Sequence, residues 1–269
     1  MVTLLAIIAL GFFLGMRHAT DPDHVIAVST IVSRERSLRH ASLVGILWGL
    51  GHTLTIVMVG AAIILFSIVI PPRIGLTMEL SVGLMLVLLG LMNLSGFTRW
   101  MTENLTPAAG GRPVIHAHPH AHGDYVHSHP HGHTPDTHGH KEDQTPQGWL
   151  DKMFGELGLY QVLRPLIVGV VHGLAGSAAV VLLVLTTIRN PVWAVAYLVV
   201  FGVGTIAGMM LITAAIAMPL VFGGDRFGGL TRYFATASGL VSLGFGLFLV
   251  YQIGFVQGLF TTHPQWTPH

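Results

Sequence analysis

Polar residues are sparse along this chain, and where they fall they divide it into long apolar stretches. Six of these approach or exceed the roughly 20 residues that carry a helix across a bilayer core. They run Thr3–Val32, Ala41–Ile70, Leu80–Phe97, Val162–Ile188, Pro191–Phe222 and Tyr233–Val256. Pro71-Pro72 stops the second, and Pro191 suits the first turn of the fifth. The pattern predicts an all-α integral membrane protein with six transmembrane helices. Apolar residues 2–16 have no basic flank before them and no small-residue cleavage site after them, so they read as a retained span and not as a signal peptide.

The first stretch is too long for one straight crossing. About 30 residues at 1.5 Å each give ~45 Å against a ~30 Å core. Its middle reads Arg17-His18-Ala19-Thr20-Asp21-Pro22-Asp23-His24. A charged side chain at bilayer depth costs roughly 2.5–3.5 kcal/mol on insertion scales, and is tolerated where it faces protein and binds something. Pro22 drives Asp21 out of helical geometry, so the helix is expected to break around residues 19–23. Backbone of that kind survives at depth only where protein or a water-filled cavity satisfies it.

The two ends of the chain resemble each other. Gly15-Met16-Arg17-His18-Ala19 parallels Gly169-Val170-Val171-His172-Gly173, and Trp48-Gly49-Leu50-Gly51-His52-Thr53 parallels Phe201-Gly202-Val203-Gly204-Thr205. Gly83 and Gly90 match Gly239 and Gly246. Three spans per half make this an inverted repeat, an architecture with its site near the midplane. Basic residues set the expected orientation. Arg34, Arg36, Arg39, Arg99, Arg112, Lys141, Lys152, Arg164, Arg226 and Arg232 lie on one side, and only Arg73 and Arg189 on the other. The rule of positive loops inside puts the central loop in the cytoplasm, beneath the plasma (inner) membrane, with both termini outside. The expected organisation is a first three-helix half over 1–97, a loop over 98–148, an interfacial segment over 149–161, a second half over 162–258 and a short external tail over 259–269.

Composition agrees with this picture: 52% of residues are hydrophobic and 9% charged, against about 25% charged in soluble domains. The absence of cysteine excludes thiolate zinc sites, iron–sulfur ligation and disulfide exchange. The formal net charge of +1 is uninformative by itself, because its distribution matters more; no nucleic-acid partner is expected. The loop is where polarity concentrates. Ten histidines, His116, His118, His120, His122, His127, His129, His131, His133, His138 and His140, alternate with Pro, Gly and Ala. Such a segment cannot build a core and is expected to be disordered, with imidazoles able to collect Ni, Cu, Zn or Co; the plain alternative is a tolerated low-complexity insertion. After it, Trp149, Leu150, Met153, Phe154 and Leu157 share a helical face opposite Asp151, Lys152 and Glu156, the pattern of a helix lying in the membrane interface.

Four histidines fall within the expected spans: His18, His24, His52 and His172. A single membrane histidine is as readily a hydrogen-bonding partner for a neighbouring helix as a ligand. Four together with Asp21 and Asp23 point to a divalent-metal site, because imidazole and carboxylate suit such ions. The order of ligand candidates is His18, His24, Asp23, His52, then Asp21 and His172. On one ideal helix His24 lies about 240° around from His18, so these groups converge only if the helix breaks. Arg17, Thr53 and Ser177 are candidates for supporting contacts. Metal binding needs neutral imidazole, so the activity is expected to depend on pH.

The string Arg17 to His24 resembles the signature of the nickel/cobalt transporter family, His-x4-Asp-His in a transmembrane helix, which falls here on His18, Asp23 and His24. Gly51-His52-Thr53 resembles that family's second motif. The Asp-Thr-rich motifs of the family's later helices are absent; Val171-His172-Gly173-Leu174-Ala175-Gly176-Ser177-Ala178-Ala179 stands there and looks more like the urease-accessory-type membrane proteins of the same superfamily. The resemblance implies a permease that works without ATP hydrolysis, carrying Ni²⁺ or Co²⁺ as substrate and holding no prosthetic group. Uptake is the first reading and efflux the second, since a cytoplasmic His-rich loop is best known from the family's efflux branch. A third is a membrane docking protein for a cytoplasmic metallochaperone. An enzyme is not expected: there is no His-Glu-x-x-His string and no Walker A string. Small-residue faces such as Gly208 to Met210 permit a homodimer.

Overall fold

The computed structural model describes residues 4–33, 35, 37–68, 70–95, 114–122, 125–133, 159–188, 190–223 and 229–266. They divide into two compact units, one of residues 1–98 with 163–269 and one of residues 99–162. In the first unit the described residues form helices α1 (Leu4–His18), α2 (Pro22–Val32), α3 (Leu38–Phe66), α4 (Pro72–Leu94), α5 (Leu159–Thr187), α6 (Pro191–Gly223) and α7 (Leu230–Tyr251), with a π-helical turn at Gln252–Val256. Helix α5 begins in the second unit and continues into the first. Four helical segments, Leu38–Phe66, Pro72–Leu94, Pro191–Gly223 and Thr231–Val256, are long and apolar enough to cross a membrane. Large apolar side chains such as Phe13, Leu54, Met58, Leu211 and Phe248 are exposed on the outside, a surface that suits lipid.

The first expected stretch is two helices. Helix α1 ends at His18, where Thr20 N–H donates to the Arg17 carbonyl at 2.8 Å and Asp21 N–H to the His18 carbonyl at 3.1 Å. The Thr20 hydroxyl also donates to the Arg17 carbonyl, at 2.6 Å. Asp21 is extended (φ −60°, ψ 144°) and Pro22 opens α2 as its first residue. Proline explains both facts: it forbids helical geometry in the residue before it and needs no N–H partner at a helix start.

Close helix crossings hold the unit together. A Cβ on Gly15 would collide with the Phe201 carbonyl, and one on Gly169 with the Trp48 carbonyl. Likewise Gly204 lies against the Phe12 carbonyl and Gly51 against that of Leu166. The backbones of α1 and α6, and of α3 and α5, therefore touch. Helices α3 and α6 pack along their length, as do α4 and α7. Buried hydroxyls find carbonyls across these contacts: Thr55 reaches Val170 at 3.2 Å, and Ser242 reaches Leu86 at 2.8 Å.

Three parts differ from expectation. Helix α4 starts at Pro72 and not at Leu80, because Pro71 is extended (ψ 145°) and Pro72 opens the helix; the proline pair ends one element and begins the next. Residues 259–266 fold back instead of trailing away. Leu259 N–H donates to the Ile253 carbonyl at 3.2 Å, Gln265 N–H to the Gln257 carbonyl at 2.9 Å, and Gly258 supplies the positive φ of 81° the reversal needs. In the second unit, where disorder was expected over 98–148, Val114–His122 (β1) pairs antiparallel with Tyr125–His133 (β2). The segment expected at the membrane interface, 149–161, lies outside the described residues as far as 158.

A Cβ on Gly90 would sit 2.7 Å from the Leu243 nitrogen and 2.8 Å from the Gly239 carbonyl oxygen, whereas nothing lies within 4 Å of one on Gly244. Gly90→Val is expected to lose about 1–3 kcal/mol through forced separation of α4 and α7. Gly244→Ala should keep or raise the melting temperature, since alanine favours helix. Thermal unfolding of the two variants in detergent, followed by circular dichroism, checks the contrast.

Candidate metal centre

The break in the first helix decides where the polar groups go. It ends α1 on His18 and starts α2 with Asp23 and His24 in its first turn. The chain's change of direction at Ala19–Asp21 brings the rings of His18 and His24 to 4.7 Å, an approach that a continuous helix does not allow. Helix α3 adds His52, with ring centroids 5.2 Å from His18 and 5.1 Å from His24. Helix α5 adds His172, 4.1 Å from His24 and 5.8 Å from His52. Glycines on both sides make this convergence feasible: a Cβ on Gly173 would press on the His52 carbonyl at 2.6 Å.

The carboxylates set the tautomers. An ionised carboxylate only accepts, so His18 Nδ1–H donates to Asp21 Oδ2 at 2.8 Å. His24 Nδ1–H donates to Asp23 Oδ1 at 3.1 Å, and His172 Nε2–H to Asp23 Oδ2 at 2.9 Å. Each imidazole then keeps a lone pair on its other nitrogen, the usual arrangement by which a carboxylate orients a metal-binding histidine. The His18 lone pair on Nε2 accepts from His52 Nε2 at 3.1 Å. His24 Nε2, His52 Nδ1 and His172 Nδ1 are buried with no hydrogen-bond partner. Desolvated nitrogens without partners are costly, and a cation would satisfy them.

Two overlapping sets of donors have the dimensions of a metal site: His18, His24 and His52, and Asp23, His24 and His172. In each, one ligand atom per residue lies within 4.8 Å of the others. Two nitrogens bound to one ion at about 2.0–2.1 Å and at right angles are about 3 Å apart, close to the 3.1 Å between His18 Nε2 and His52 Nε2, so an ion could replace the proton they share once His52 carries its proton on Nδ1. The three α2, α3 and α5 histidines are at most 2% exposed. Asp23 and Asp21 retain 31% and 48% of their side-chain exposure, on the side of a cavity of about 440 Å³ that His18, His24 and His172 also line. The stacked Trp48 ring, 6.0 Å from His24 and inclined by 12°, closes the apolar side.

All six sequence-predicted ligands thus come together. Of the supporting residues, Arg17 and Thr53 do not. Thr53 donates to the Gly202 carbonyl at 3.1 Å and serves helix packing. Arg17 is exposed and makes no ion pair among the described residues. The side chain of Ser177 lies outside the described residues, as do those of the ten loop histidines. Glu79, Gln252 and Gln257 line the same cavity and were not anticipated. Glu79 sits one residue ahead of the apolar run Leu80–Phe97, and so reads as loop unless Pro72 is taken as a helix start.

Apolar membrane-length helices around a buried imidazole–carboxylate cluster define an integral membrane protein that handles metal ions. The model of the NicO family, "High-affinity nickel-transport protein", matches residues 4–222, and the chain belongs to that family of transporters. Its substrate is accordingly nickel, as an ion carried and not as a prosthetic group. The chain is also 33% identical over 259 residues to the urease accessory protein UreH of Bacillus sp. (strain TB-90), a match covering 96% of each. No solved structure gives a significant match.

Asp23→Ala would strip the acceptor from two buried imidazoles at once. Each unsatisfied group costs about 1–3 kcal/mol, so a clear fall in melting temperature is expected for the metal-free protein in detergent. An unchanged melting temperature would show that His24 and His172 are satisfied in another way.

Proposed function

We propose that this chain is a secondary transporter that takes up Ni²⁺, and Co²⁺ as a close chemical relative, through a site built from His18, Asp21, Asp23, His24, His52 and His172. The observation that carries the reading is the set of unpartnered, buried imidazole nitrogens on three helices around two carboxylates. Imidazole suits both ions, and carboxylates offset their charge. His24 belongs to both donor sets, so an ion can pass between the Asp23 and His172 pair and the His18 and His52 pair without leaving its ligands all at once.

Six transmembrane spans in two inverted halves account for the packing. The pairs Gly15–Phe201 and Gly169–Trp48 are equivalent under the sequence repeat, as are Gly204–Phe12 and Gly51–Leu166. Such symmetry supports alternating access by rocking one half against the other, with the Ala19–Asp21 break at the pivot. The excess of basic residues supports a cytoplasmic central loop in the plasma membrane, with both termini outside. There the paired register His116↔His131, His118↔His129 and His120↔His127 suits collection of arriving ions, and their delivery to a cytoplasmic metallochaperone, a role in keeping with a relative named as a urease accessory protein.

The test is accumulation of radiolabelled Ni²⁺ in cells expressing the wild type or His18→Ala, with Co²⁺ and Zn²⁺ as competitors. Uptake above empty cells, lost by at least tenfold in His18→Ala, is expected. Reduced accumulation that the variant relieves would make the protein an exporter, and no change from empty cells would favour a docking role. In purified protein, Ni²⁺ at a hundred times its dissociation constant should stabilise the fold by about 2.7 kcal/mol. That gain should vanish in His24→Ala and diminish as pH falls, because protons compete for imidazole.

A further inference from the structure

The cavity that reaches the histidines does not end with them. Its remaining wall comes from Glu79 and Val82 of α4, Phe248 and Leu249 of α7, and Gln252 and Gln257 at the π-helical turn. Glu79 lies seven residues into α4, about 10 Å along the helix axis from its start. An acid two turns inside an apolar membrane helix is costly and calls for a purpose. It does not serve the packing of α4 on α7, which glycines and apolar side chains supply.

The chain's last described turn is built around this carboxylate. Trp266 Nε1–H donates to Glu79 Oε1 at 2.7 Å. The indole ring lies where a Cβ on Gly75 would be, one turn before Glu79. The fold-back of residues 258–266 that delivers the indole starts from the π-helical turn, an irregularity that recurs at functional sites. The indole donor fixes the direction of the Glu79 carboxylate, which lines the cavity. Gln257 Oε1 is buried with no hydrogen-bond partner beside the same cavity. At the inner end, His24 and His172, 1% and 2% exposed, each carry a buried unpartnered nitrogen. Asp21, Asp23 and Glu79 are the charged side chains of the described lining, with no Lys or Arg among it.

We propose that Glu79 is an outer capture point for the divalent cation, drawing it into the cavity and passing it to Asp21 and Asp23, and that Trp266 is the positioning residue that aims it. The proposal rests on the transport reading for direction but not for binding. A carboxylate in a low-dielectric mouth raises the local concentration of cations and their rate of entry, by 10-fold or more. It acts on entry and not on the contacts that hold the ion inside, so the rate of release is nearly unchanged and the apparent affinity follows the rate of entry. Glu79 is therefore a residue of access and selectivity against anions, distinct in effect from the histidines.

Two measurements test this. In cells, initial rates of radiolabelled Ni²⁺ uptake across concentrations, normalised to protein in the membrane, give half-saturation and maximal rate separately. Glu79→Gln should raise the half-saturating concentration about tenfold with the maximal rate within twofold. Glu79→Asp should recover part of the loss, and Trp266→Phe, which keeps a ring over Gly75 and loses the donor, should show a smaller rise of about threefold. In detergent-purified full-length protein, stopped-flow mixing with Ni²⁺ should show a slower association for Glu79→Gln with a weaker salt dependence, and an unchanged dissociation. A normal half-saturation and association rate in Glu79→Gln would overturn the proposal, as would a fall in maximal rate alone. A wild type that binds Ni²⁺ but moves none would sink the transport reading, and the association rates would still decide the role of Glu79.

Discussion

Ionisable groups in an apolar interior are the constraint on which this structure depends. Two carboxylates and four imidazoles lie among membrane-length apolar helices, and each must be satisfied there or expel the fold. The solution is reciprocal. Asp21 accepts from His18, and Asp23 accepts from both His24 and His172, so every carboxylate oxygen that needs a donor has an imidazole. His18, His24 and His172 each commit one nitrogen to that pairing, and unpartnered nitrogens remain on His24, His52 and His172. Stability without the ion and affinity for it thus come from opposite sides of the same rings.

That arrangement requires helices closer than ordinary side chains allow. His52 and His172 reach the motif because Gly51, Gly169 and Gly173 let α3 and α5 meet backbone to backbone. Lipid is as apolar as leucine, so association between membrane helices comes from such close packing and from hydrogen bonds between helices. The Thr55 and Thr53 hydroxyls donating to carbonyls of α5 and α6 are of this kind. The glycines and the histidines are one design: enlarging any of the former displaces one of the latter.

Much of this was legible in the residues. The break at Pro22 follows from length and proline geometry alone, and the histidines and aspartates that cluster around it were candidates because ionisable groups are rare in apolar stretches. What pattern could not supply was the pairing. His24 ranks high from its motif and His172 low from its isolation, yet one carboxylate, Asp23, binds both; only the crossing of α2 and α5 decides that. Glu79 was missed for a different reason. Hydropathy places a helix start at the first sustained apolar run, whereas Pro72 starts α4 eight residues earlier. The fold-back of the tail was not legible because residues 259–269 have no periodicity, and what orders 258–266 is a positive-φ glycine and one indole bond to a distant helix.

An ion site in a transporter must also let go. A rigid cage of all six ligands would bind tightly and turn over slowly, whereas conduction needs sites that are favourable to enter and weak enough to leave. The geometry sorts five of the six candidate ligands into two groups of three that share only His24, with Asp21 in neither. His18 hangs from the end of α1, Asp23 and His24 from the start of α2, and His52 and His172 from α3 and α5. Of these only His18 precedes the Ala19–Asp21 break, so under the proposed transport a rotation there would separate it from His24 and His52 and leave the Asp23, His24 and His172 group intact. The proline that makes the site possible is therefore also what keeps its ligands from acting as one body, and a continuous first helix would forfeit both properties together.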